Sequence, residues 1–581
     1  MSVLAYPQTS GPSPQFRTAA NGRWNIPAVL GHGLYYALIT VLLIYPALML
    51  AWGTFHSGPP GAATSFTLRN IGSFLHDEPI WRAIRNSIFL ATVTTMAGML
   101  LALGLAYAAQ RTDALFRTLI TQAMVLTFAT PPLFYALGYS LLANKYNGLL
   151  NIGMRSLLGI HEPIVNIESW SGISLVMSLR STAFIYLFVA GPIAALNRTH
   201  EDASYISGAG PIRTAIMINV GILMPAITGA AILAFLAGIQ TFDTALIIAD
   251  PAGIRVIATQ VFTMLLAQVP PDYGVASALS MFLFLIVLLL VVIQNRLLAG
   301  RSFVTREGKA TSAERTALGA WRYAFGAFIM TYLIIDLFLP MSALAISSFQ
   351  PFPGVFGRLT TVHYVRAFTA PGIWDAIWTT VILSVSVGGA AMALAVLIVV
   401  VSRKAGIFGA GYLRFAVLLP KAMPGVVMAL AITWAYVSLP GLRLIYGTIW
   451  IMFLALIVVV VPFTLQAAQS AIAQVGRDLS EASLVSGASR FVMVRTILVP
   501  LIAPSIIYGW FIAAVIVAGT LDIPLLLASP GLATLAAKIY ELNFSGSIGD
   551  AAALLVALLA FLSLLALCGL AMGRLAFSRN Q

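Results

Sequence analysis

Charged residues are scarce in this chain of 581 residues. Asp, Glu, Lys and Arg together make up 9% of the sequence, whereas hydrophobic residues make up 60%. Soluble domains carry about 25% charged residues, so a water-soluble or disordered protein of this length would need far more polar surface. The composition therefore predicts a polytopic membrane protein that is surrounded by the lipid bilayer.

Cysteine is almost absent. Cys568 is the single cysteine and lies in an apolar run, which excludes an intrachain disulfide and a cysteine-based metal site. The six histidines are scattered and are not at metal-ligand spacing. The sequence has no H-E-x-x-H, G-x-S-x-G or Walker A motif. We therefore expect a protein that is not an enzyme, with no catalytic residues, no bound cofactor and no metal ligands.

Twelve apolar runs are long enough to cross a membrane, which takes about 20 residues as a helix. They lie at about 34–54, 86–109, 119–143, 172–196, 217–239, 275–298, 323–347, 377–402, 413–438, 446–470, 498–519 and 551–573. Pro131–Pro132 and Pro424–Gly425 interrupt two of them. Proline frees a backbone carbonyl that neighbouring helices must satisfy, so we expect both segments to be kinked and packed inside the bundle.

The basic residues predict the orientation. The net charge is +13, from 32 Lys and Arg against 19 Asp and Glu. If the N-terminus is cytoplasmic, 20 of the 32 basic residues fall on the cytoplasmic side and ten in the outer loops. Cytoplasmic loops of membrane proteins carry such an excess. We therefore expect both termini in the cytoplasm, and we assign the positive charge to topology rather than to a nucleic-acid partner.

The chain divides into two similar halves. A polar, basic segment separates two groups of six apolar runs, which predicts a cytoplasmic tail at 1–32, a first unit at 33–299, a cytoplasmic linker at 300–322 and a second unit at 323–577. At an offset of 293, Trp81 falls on Trp374 and Pro131 on Pro424; at an offset of 279, Asp243 falls on Asp522. The predicted fold is all-α and transmembrane, with about 12 helices in two parallel six-helix units.

The longest match between the halves is a loop between the fourth and fifth apolar runs. The candidate residues are three matched pairs, with Asp202, Ala203 and Gly208 in the first half and Glu481, Ala482 and Gly487 in the second. Small residues permit close docking of a short helix. An acidic residue suits the positive end of a helix, and glycine permits a tight turn.

The second loop reads Glu481-Ala482-Ser483, then three residues, Gly487, nine residues, and residues 497–500 as Ile-Leu-Val-Pro. This resembles the EAA loop of binding-protein-dependent ABC importer permeases of the MetI-like, type I fold. The first loop departs from that pattern, with Asp202 in place of the usual glutamate and Gly221 in place of the usual proline.

The resemblance implies a fused pair of permease units in a bacterial inner (cytoplasmic) membrane. Each EAA loop would couple to one ABC ATPase subunit, so two copies of the ATPase bind, and a periplasmic or lipid-anchored binding protein delivers the substrate. The fused layout and residues 147–151 and 163–166 look most like the iron(III) permeases. Thiamine, 2-aminoethylphosphonate and polyamine importers remain alternatives.

Five polar residues at or near membrane depth are candidates for the translocation pathway, because charge is costly there. They are Arg180, Lys421, Asp243, Asp522 and Gln240. Carboxylate oxygens suit a hard cation such as ferric iron. The competing interpretations are snorkelling for Arg180, and a helix cap or loop contact for the two aspartates.

Two other classes of protein fit part of the pattern. An ion-driven secondary transporter also uses twelve spans and parallel repeats, but it has no need of paired EAA-like loops. The other class is a membrane-embedded enzyme or a polytopic scaffold. An enzyme of this kind would need clustered His or acidic residues in its spans, and the sequence lacks them. The predicted function is therefore an ABC importer permease, with a secondary transporter as the alternative from another class.

Overall fold

The protein is described from a computed structural model. It describes residues 26–298 apart from 161, residues 315–473 apart from 356 and 403–405, residues 492 and 496, and residues 499–578 apart from 530. Regular structure in these ranges is helical, which confirms the predicted all-α class.

The helices of the first half begin with α1 and end with α13. Their bounds are Ile26–Ile39 (α1), Tyr45–Thr54 (α2), Arg69–His76 (α3), Glu78–Arg111 (α4), Arg117–Ala129 (α5), Pro132–Ala143 (α6), Leu149–Leu158 (α7), Trp170–Ala194 (α8), Arg198–Ile206 (α9), Pro211–Thr214 (α10), Val220–Ile239 (α11), Ile257–Phe262 (α12) and Tyr273–Leu298 (α13). Short π-helical turns at Thr40–Ile44, Ala215–Asn219, Ala245–Ala249 and Thr263–Ala267 adjoin or join several of them.

The second half repeats this order. Its helices are Trp321–Leu333 (α14), Leu339–Phe349 (α15), Val362–Thr369 (α16), Ile373–Ser402 (α17), Ile407–Lys421 (α18), Gly425–Val437 (α19), Ile449–Ala473 (α20), Val499–Gly519 (α21), Asp522–Leu527 (α22), Leu535–Phe544 (α23) and Ile548–Ser578 (α24). A π-helical turn at Ile334–Phe338 joins α14 to α15, and a 3₁₀ turn at Arg443–Ile445 follows α19.

Each of the twelve predicted apolar runs coincides with helix. In the described part of the chain, nine helices are long and apolar enough to cross a membrane, and two bent helix pairs raise the number to 11. The twelfth predicted run lies within α24. The two proline-containing segments differ from the expected kinks, because they are full breaks: α5 and α6 meet at 102°, and α18 and α19 at 115°.

The two halves pack in the same way. In the first, α4 lies against α8 and α11, and in the second, α17 lies against α20 and α21. The leading span of each half crosses to the other half's broken helix, so α2 packs on α19 and α15 packs on α6. The Trp434 indole of α19 donates to the Ser277 hydroxyl of α13 over 2.9 Å, and a side chain at Gly53 would overlap that indole. Each half therefore completes its packing with a helix of the other.

Exposed tryptophans mark one edge of the bundle. Trp374 and Trp378 lie in the first two turns of α17, and Trp450 is the second residue of α20. Their side chains are exposed. Because α17 and α20 are separated by one broken span, both begin on the same side. Tryptophan collects at membrane–water interfaces, so these rings indicate where one of the two interfaces lies.

Small residues allow α4 and α8 to approach closely, and Gly98 is the clearest case. A Cβ atom at Gly98 would lie 2.9 Å from the Ser181 Cβ and 3.2 Å from the Thr182 backbone nitrogen. Six residues further along α4, a Cβ atom at Gly104 would meet its nearest neighbour, a carbon of Phe328, at an ordinary 3.8 Å.

We therefore predict that Gly98→Ala, and more strongly Gly98→Val, lowers the thermal midpoint of the purified protein by several degrees. Overpacking a tight interface costs about 1–3 kcal/mol. The matched change Gly104→Ala should stay at the wild-type midpoint. Thermal unfolding in detergent, followed by size-exclusion chromatography, measures both. Equal midpoints for all these variants would show that the α4–α8 contact is not tight.

Candidate functional site

The first of the two matching loops contains a short helix, α9. Asn197 caps its N-terminus, and the Asn197 side chain accepts a hydrogen bond from the Thr199 backbone N–H over 3.0 Å. After the helix, Gly208 adopts a φ of +83°, and a Cβ atom there would meet no atom within 4 Å. The backbone conformation, rather than lack of room, is therefore what favours glycine at this turn.

The two faces of α9 have different surroundings. Asp202 and Ala203 are exposed, as are the neighbouring apolar side chains of Tyr205 and Ile206, the latter to 88%. Asp202 lies 4.0 Å from Arg198 in an exposed pair. Glu201, one residue earlier, is buried on the opposite face. The sequence match selected Asp202, and the structure places it on the face that is open to a partner.

Glu201 makes the buried ionic contacts of α9, and the sequence analysis did not select it. Its carboxylate accepts hydrogen bonds from Arg111 Nη2 over 2.7 Å and from Asn219 Nδ2 over 2.8 Å. Arg111 also donates to the Leu196 carbonyl over 2.8 Å. The sequence signal for this pair was weak, because an Arg at the end of an apolar helix and a Glu in a polar loop are both common.

The second loop cannot be compared directly with the first. Glu481, Ala482 and Gly487 lie outside the described residues. Their assignment therefore stays a prediction from the sequence match and from the geometry of α9.

A buried polar cluster lies at the break between α5 and α6. Arg180, near the middle of α8, donates from Nη1 to the Thr130 carbonyl over 2.7 Å, and its guanidinium lies 5.7 Å from the centre of the Tyr135 ring. Thr130 immediately precedes Pro131, so this carbonyl belongs to the backbone that the break leaves unpaired. The arginine is directed into the bundle at this point rather than along a route to the membrane surface.

Asp336 adds a carboxylate to this cluster from the other half of the chain. It lies in the π-helical turn Ile334–Phe338 inside the leading span of the second half, and it is fully buried. Thr127 of α5 donates to Asp336 Oδ2 over 2.5 Å. Arg180 interacts electrostatically with Asp336. The sequence analysis missed Asp336, because it lies within a run that was assigned only by its apolar length.

Asp243 and Asp522, the matched aspartates of the two halves, lie close to each other and to this cluster. Asp243 is buried and interacts electrostatically with both Asp522 and Arg180. Burial raises the pKa of the Asp243 carboxyl, and the Asp522 carboxylate raises it further. Two like charges that interact in this way disfavour each other's ionised form.

The Asp522 carboxylate packs against Gly425, which follows Pro424 at the break of the second half. A Cβ atom at Gly425 would lie 1.7 Å from Asp522 Oδ2, so only glycine leaves room for this carboxylate. At the equivalent break of the first half, Pro131 fits against Gly519, where a Cβ atom would lie 2.3 Å from the proline ring. The segment from Gly519 to Asp522 therefore contacts both helix breaks.

The remaining two candidates take different positions. Gln240 follows α11 directly and is half-buried, three residues before Asp243. Lys421 is the last residue of α18 and is exposed, so it does not share the buried surroundings of Arg180. Of the five predicted pathway residues, the structure thus brings together Arg180, Asp243 and Asp522.

Comparisons with known proteins show which permeases this chain resembles. Residues 389–579 match the family described as binding-protein-dependent transport system inner membrane component. A putative ferric transport system permease protein, FbpB 1, of Haemophilus influenzae is 25% identical over 483 residues, which are 81% of this chain and 73% of that protein.

Two further similarities cover less of the chain. A putative 2-aminoethylphosphonate transport system permease protein, PhnV, of Salmonella paratyphi A is 27% identical over 42% of this chain and 92% of that protein. A chain of a bacterial alginate ABC transporter, solved with an alginate pentasaccharide-bound periplasmic protein, has a TM-score of 0.39 at 15% identity and covers 47% of this chain and 94% of that one.

The matched family region lies in the second half, the long ferric permease similarity extends over both halves, and the apolar helices cross a membrane several times. Residues 389–579 therefore carry the similarity to the family described as binding-protein-dependent transport system inner membrane component, and the chain is a multi-pass membrane protein that is similar to transport permeases over both halves.

Proposed function

We propose that this chain forms the translocation pathway of an iron(III) importer that is driven by two copies of an ABC ATPase. Long similarity to a ferric permease over 81% of the chain supports iron as the substrate. The observation that carries the proposal is α9, a short capped helix that presents Asp202, Ala203 and Ile206 outward beside a glycine turn.

The proposal extends to the remaining parts of the assembly. The chain lies in a bacterial inner membrane with both termini in the cytoplasm, and it divides at 33–299 and 323–577 into two units. Each unit offers one loop to an ATPase subunit, Asp202, Ala203 and Gly208 in the first and Glu481, Ala482 and Gly487 in the second. A periplasmic or lipid-anchored binding protein delivers substrate at the outer face. ATP is hydrolysed by the partner subunits, not by this chain.

The mechanism alternates between two states of the bundle. Closure of the ATPase pair on ATP draws the two loops together and moves the helices that follow them. Because α2 packs on α19 and α15 packs on α6, rotation of one half moves the broken helix of the other. The ATPases supply the difference in free energy that such a two-state shift requires.

Iron(III) passes the helix breaks, where the carboxylates of Asp243 and Asp522 lie close together in buried surroundings. Carboxylate oxygens are hard ligands that suit a hard cation. Arg180, tied to the Thr130 carbonyl, balances part of the negative charge when no cation is present.

A 2-aminoethylphosphonate importer is the second candidate. The similarity to PhnV supports it, although that similarity covers less than half of the chain. In this case the guanidinium of Arg180 would bind the phosphonate, and the neighbouring carboxylates would bind its amine. The two substrates therefore predict opposite roles for Arg180.

Reconstitution tests the proposal as a whole. The chain is placed in proteoliposomes with the ATPase and binding protein encoded beside it, and uptake of radioactive iron(III) and of 2-aminoethylphosphonate is measured. We expect iron uptake that needs ATP and both partners. Uptake by the chain alone, driven by an ion gradient, would identify a secondary transporter. ATP-dependent uptake of 2-aminoethylphosphonate without uptake of iron(III) would show that iron(III) is not the substrate.

The loop of the first half provides a matched pair of glycine variants. Gly208→Val forces a β-branched residue into the left-handed region, whereas Gly210, which lies in open space without a positive φ, accepts valine. We expect Gly208→Val to lose at least tenfold in both ATPase co-purification and uptake, with Gly210→Val close to wild type. Glu481→Lys and Gly487→Asp should act in the same way in the second loop. Normal co-purification and uptake in these variants would show that the loops do not bind the ATPase.

A second prediction concerns the carboxylates at the helix breaks. Asp522→Asn keeps the shape of the side chain and removes its charge, so we expect iron uptake to fall at least tenfold, equivalent to about 1.4 kcal/mol. The matched control is Asp375→Asn, which removes an exposed carboxylate from the first turn of α17. Both variants should assemble with the ATPase. Equal uptake by the two variants would remove Asp522 from the pathway.

A further inference from the structure

The coupling helix α9 is fixed to the body of the permease by a buried ion pair between Arg111 and Glu201. The Arg111 Nη2 to Glu201 Oε2 distance is 2.7 Å, and the two side chains are only 3% and 5% exposed. Isolated charges are costly to bury, and a buried pair is tolerated where its geometry is good and its remaining polar atoms are satisfied. Here the Leu196 carbonyl and the Asn219 amide supply those extra bonds.

The pair joins four elements at one point. Arg111 is the last residue of the 34-residue helix α4, and Glu201 lies in α9. Leu196 follows α8, and Asn219 ends the π-helical turn that leads into α11. A displacement of α9 would therefore also move the cytoplasmic ends of α4, α8 and α11.

The segment that leads into the second half is attached at the same place. The Thr316 backbone N–H donates to the Arg111 carbonyl over 2.9 Å, and the Leu318 N–H donates to Asp113 Oδ1 over 2.9 Å. Residues 316 and 318 lie just before α14, so the arginine that holds α9 is also held by the chain entering the second half.

The opposite face of α9 is the one that the proposed ATPase would contact. Asp202 and Ile206 point outward while Glu201 points inward. One turn of helix thus carries both a docking face and a fixed face. A force applied to the first is transmitted through the second, rather than being absorbed by a flexible loop.

The second half has no equivalent pair in its sequence. The offset of 279 that aligns the loops puts Ser480 opposite Glu201, and the offset of 293 puts Lys404 opposite Arg111. Serine has no carboxylate, so the two aligned positions of the second half do not offer the same pair of side chains; both lie outside the described residues.

We propose that the buried Arg111–Glu201 pair is the joint that converts movement of α9 into movement of the first-half helices, and that it makes the two coupling loops mechanically unequal. The inference rests on the proposed function, in which α9 binds an ATPase subunit. Arg111 and Glu201 are positioning residues, because neither touches substrate or nucleotide.

Three variants of graded severity test the joint. Asn219→Ala removes one hydrogen bond from Glu201 and leaves the ion pair, Glu201→Gln keeps the shape and removes the charge, and Arg111→Met leaves the carboxylate buried without its cation. The control is Glu78→Gln, which breaks the Arg85–Glu78 pair; that pair has the same 2.7 Å distance but is 64% and 58% exposed. Exposed pairs contribute little.

Each variant is reconstituted with the partner subunits, and three quantities are measured: ATPase co-purification, ATP hydrolysis stimulated by the binding protein, and uptake. We expect co-purification and hydrolysis to be retained while uptake per ATP falls about threefold in Asn219→Ala and at least tenfold in Glu201→Gln. Glu78→Gln should match wild type. Arg111→Met is expected to show the largest loss of uptake per ATP. If Arg111→Met does not fold, the result for Asn219→Ala decides the test.

Other outcomes separate the two proposals. If wild-type protein neither binds the ATPase nor transports with it, the proposed function fails. If wild type works and Asn219→Ala and Glu201→Gln keep the wild-type uptake per ATP, the joint fails while the function stands. If co-purification falls in parallel with uptake, the pair serves docking alone and the proposed transmission is wrong.

Discussion

Backbone hydrogen bonding in the absence of water is the constraint on which this structure depends. A helix that crosses hydrocarbon satisfies its own N–H and C=O groups, and a break exposes several of them. Both halves of this chain contain such a break, with bends of 102° and 115°. At the first break, the Arg180 guanidinium donates a hydrogen bond to the Thr130 carbonyl. A charge that is costly in a membrane is therefore retained because it satisfies a backbone group that would otherwise be unpaired.

The breaks also explain how the halves are joined. Each bent segment exposes backbone polar groups that must be shielded from lipid by neighbouring helices. The leading span of the opposite half is one of these neighbours. Gly138 of α6 lies so close to the Pro340 carbonyl that a Cβ atom would be 2.9 Å from it, and the Tyr139 hydroxyl donates to the Ile335 carbonyl over 2.6 Å. Because both halves lie in one chain, each leading span is always present with the broken helix on which it packs.

Much of the fold could be predicted from the sequence because membrane spans follow a simple rule of length and apolarity. In the described residues all twelve runs coincide with helix, and Pro131–Pro132 and Pro424–Gly425 marked the two irregular segments. The angles of the breaks could not be predicted, because a proline permits a bend while its size is set by tertiary packing such as the Gly425–Asp522 contact. Asp336 was missed for a related reason: a single carboxylate hardly changes the mean apolarity of a run, and its partner Thr127 is 209 residues away.

The first of the two matching loops shows the same limit of sequence analysis at shorter range. The repeat match selected Asp202, Ala203 and Gly208, because residues that share a position in two copies stand out in a sequence. Glu201 differs between the copies and did not stand out, yet it carries the contacts that orient the helix. A repeat comparison finds residue types that the two halves share, such as the acidic residues Asp202 and Glu481. It does not find a contact made by a residue that differs between the copies, and Glu201, which attaches α9 to α4, is such a residue. Once two copies are fused, their loops are free to diverge in this way, because each always meets the same neighbours.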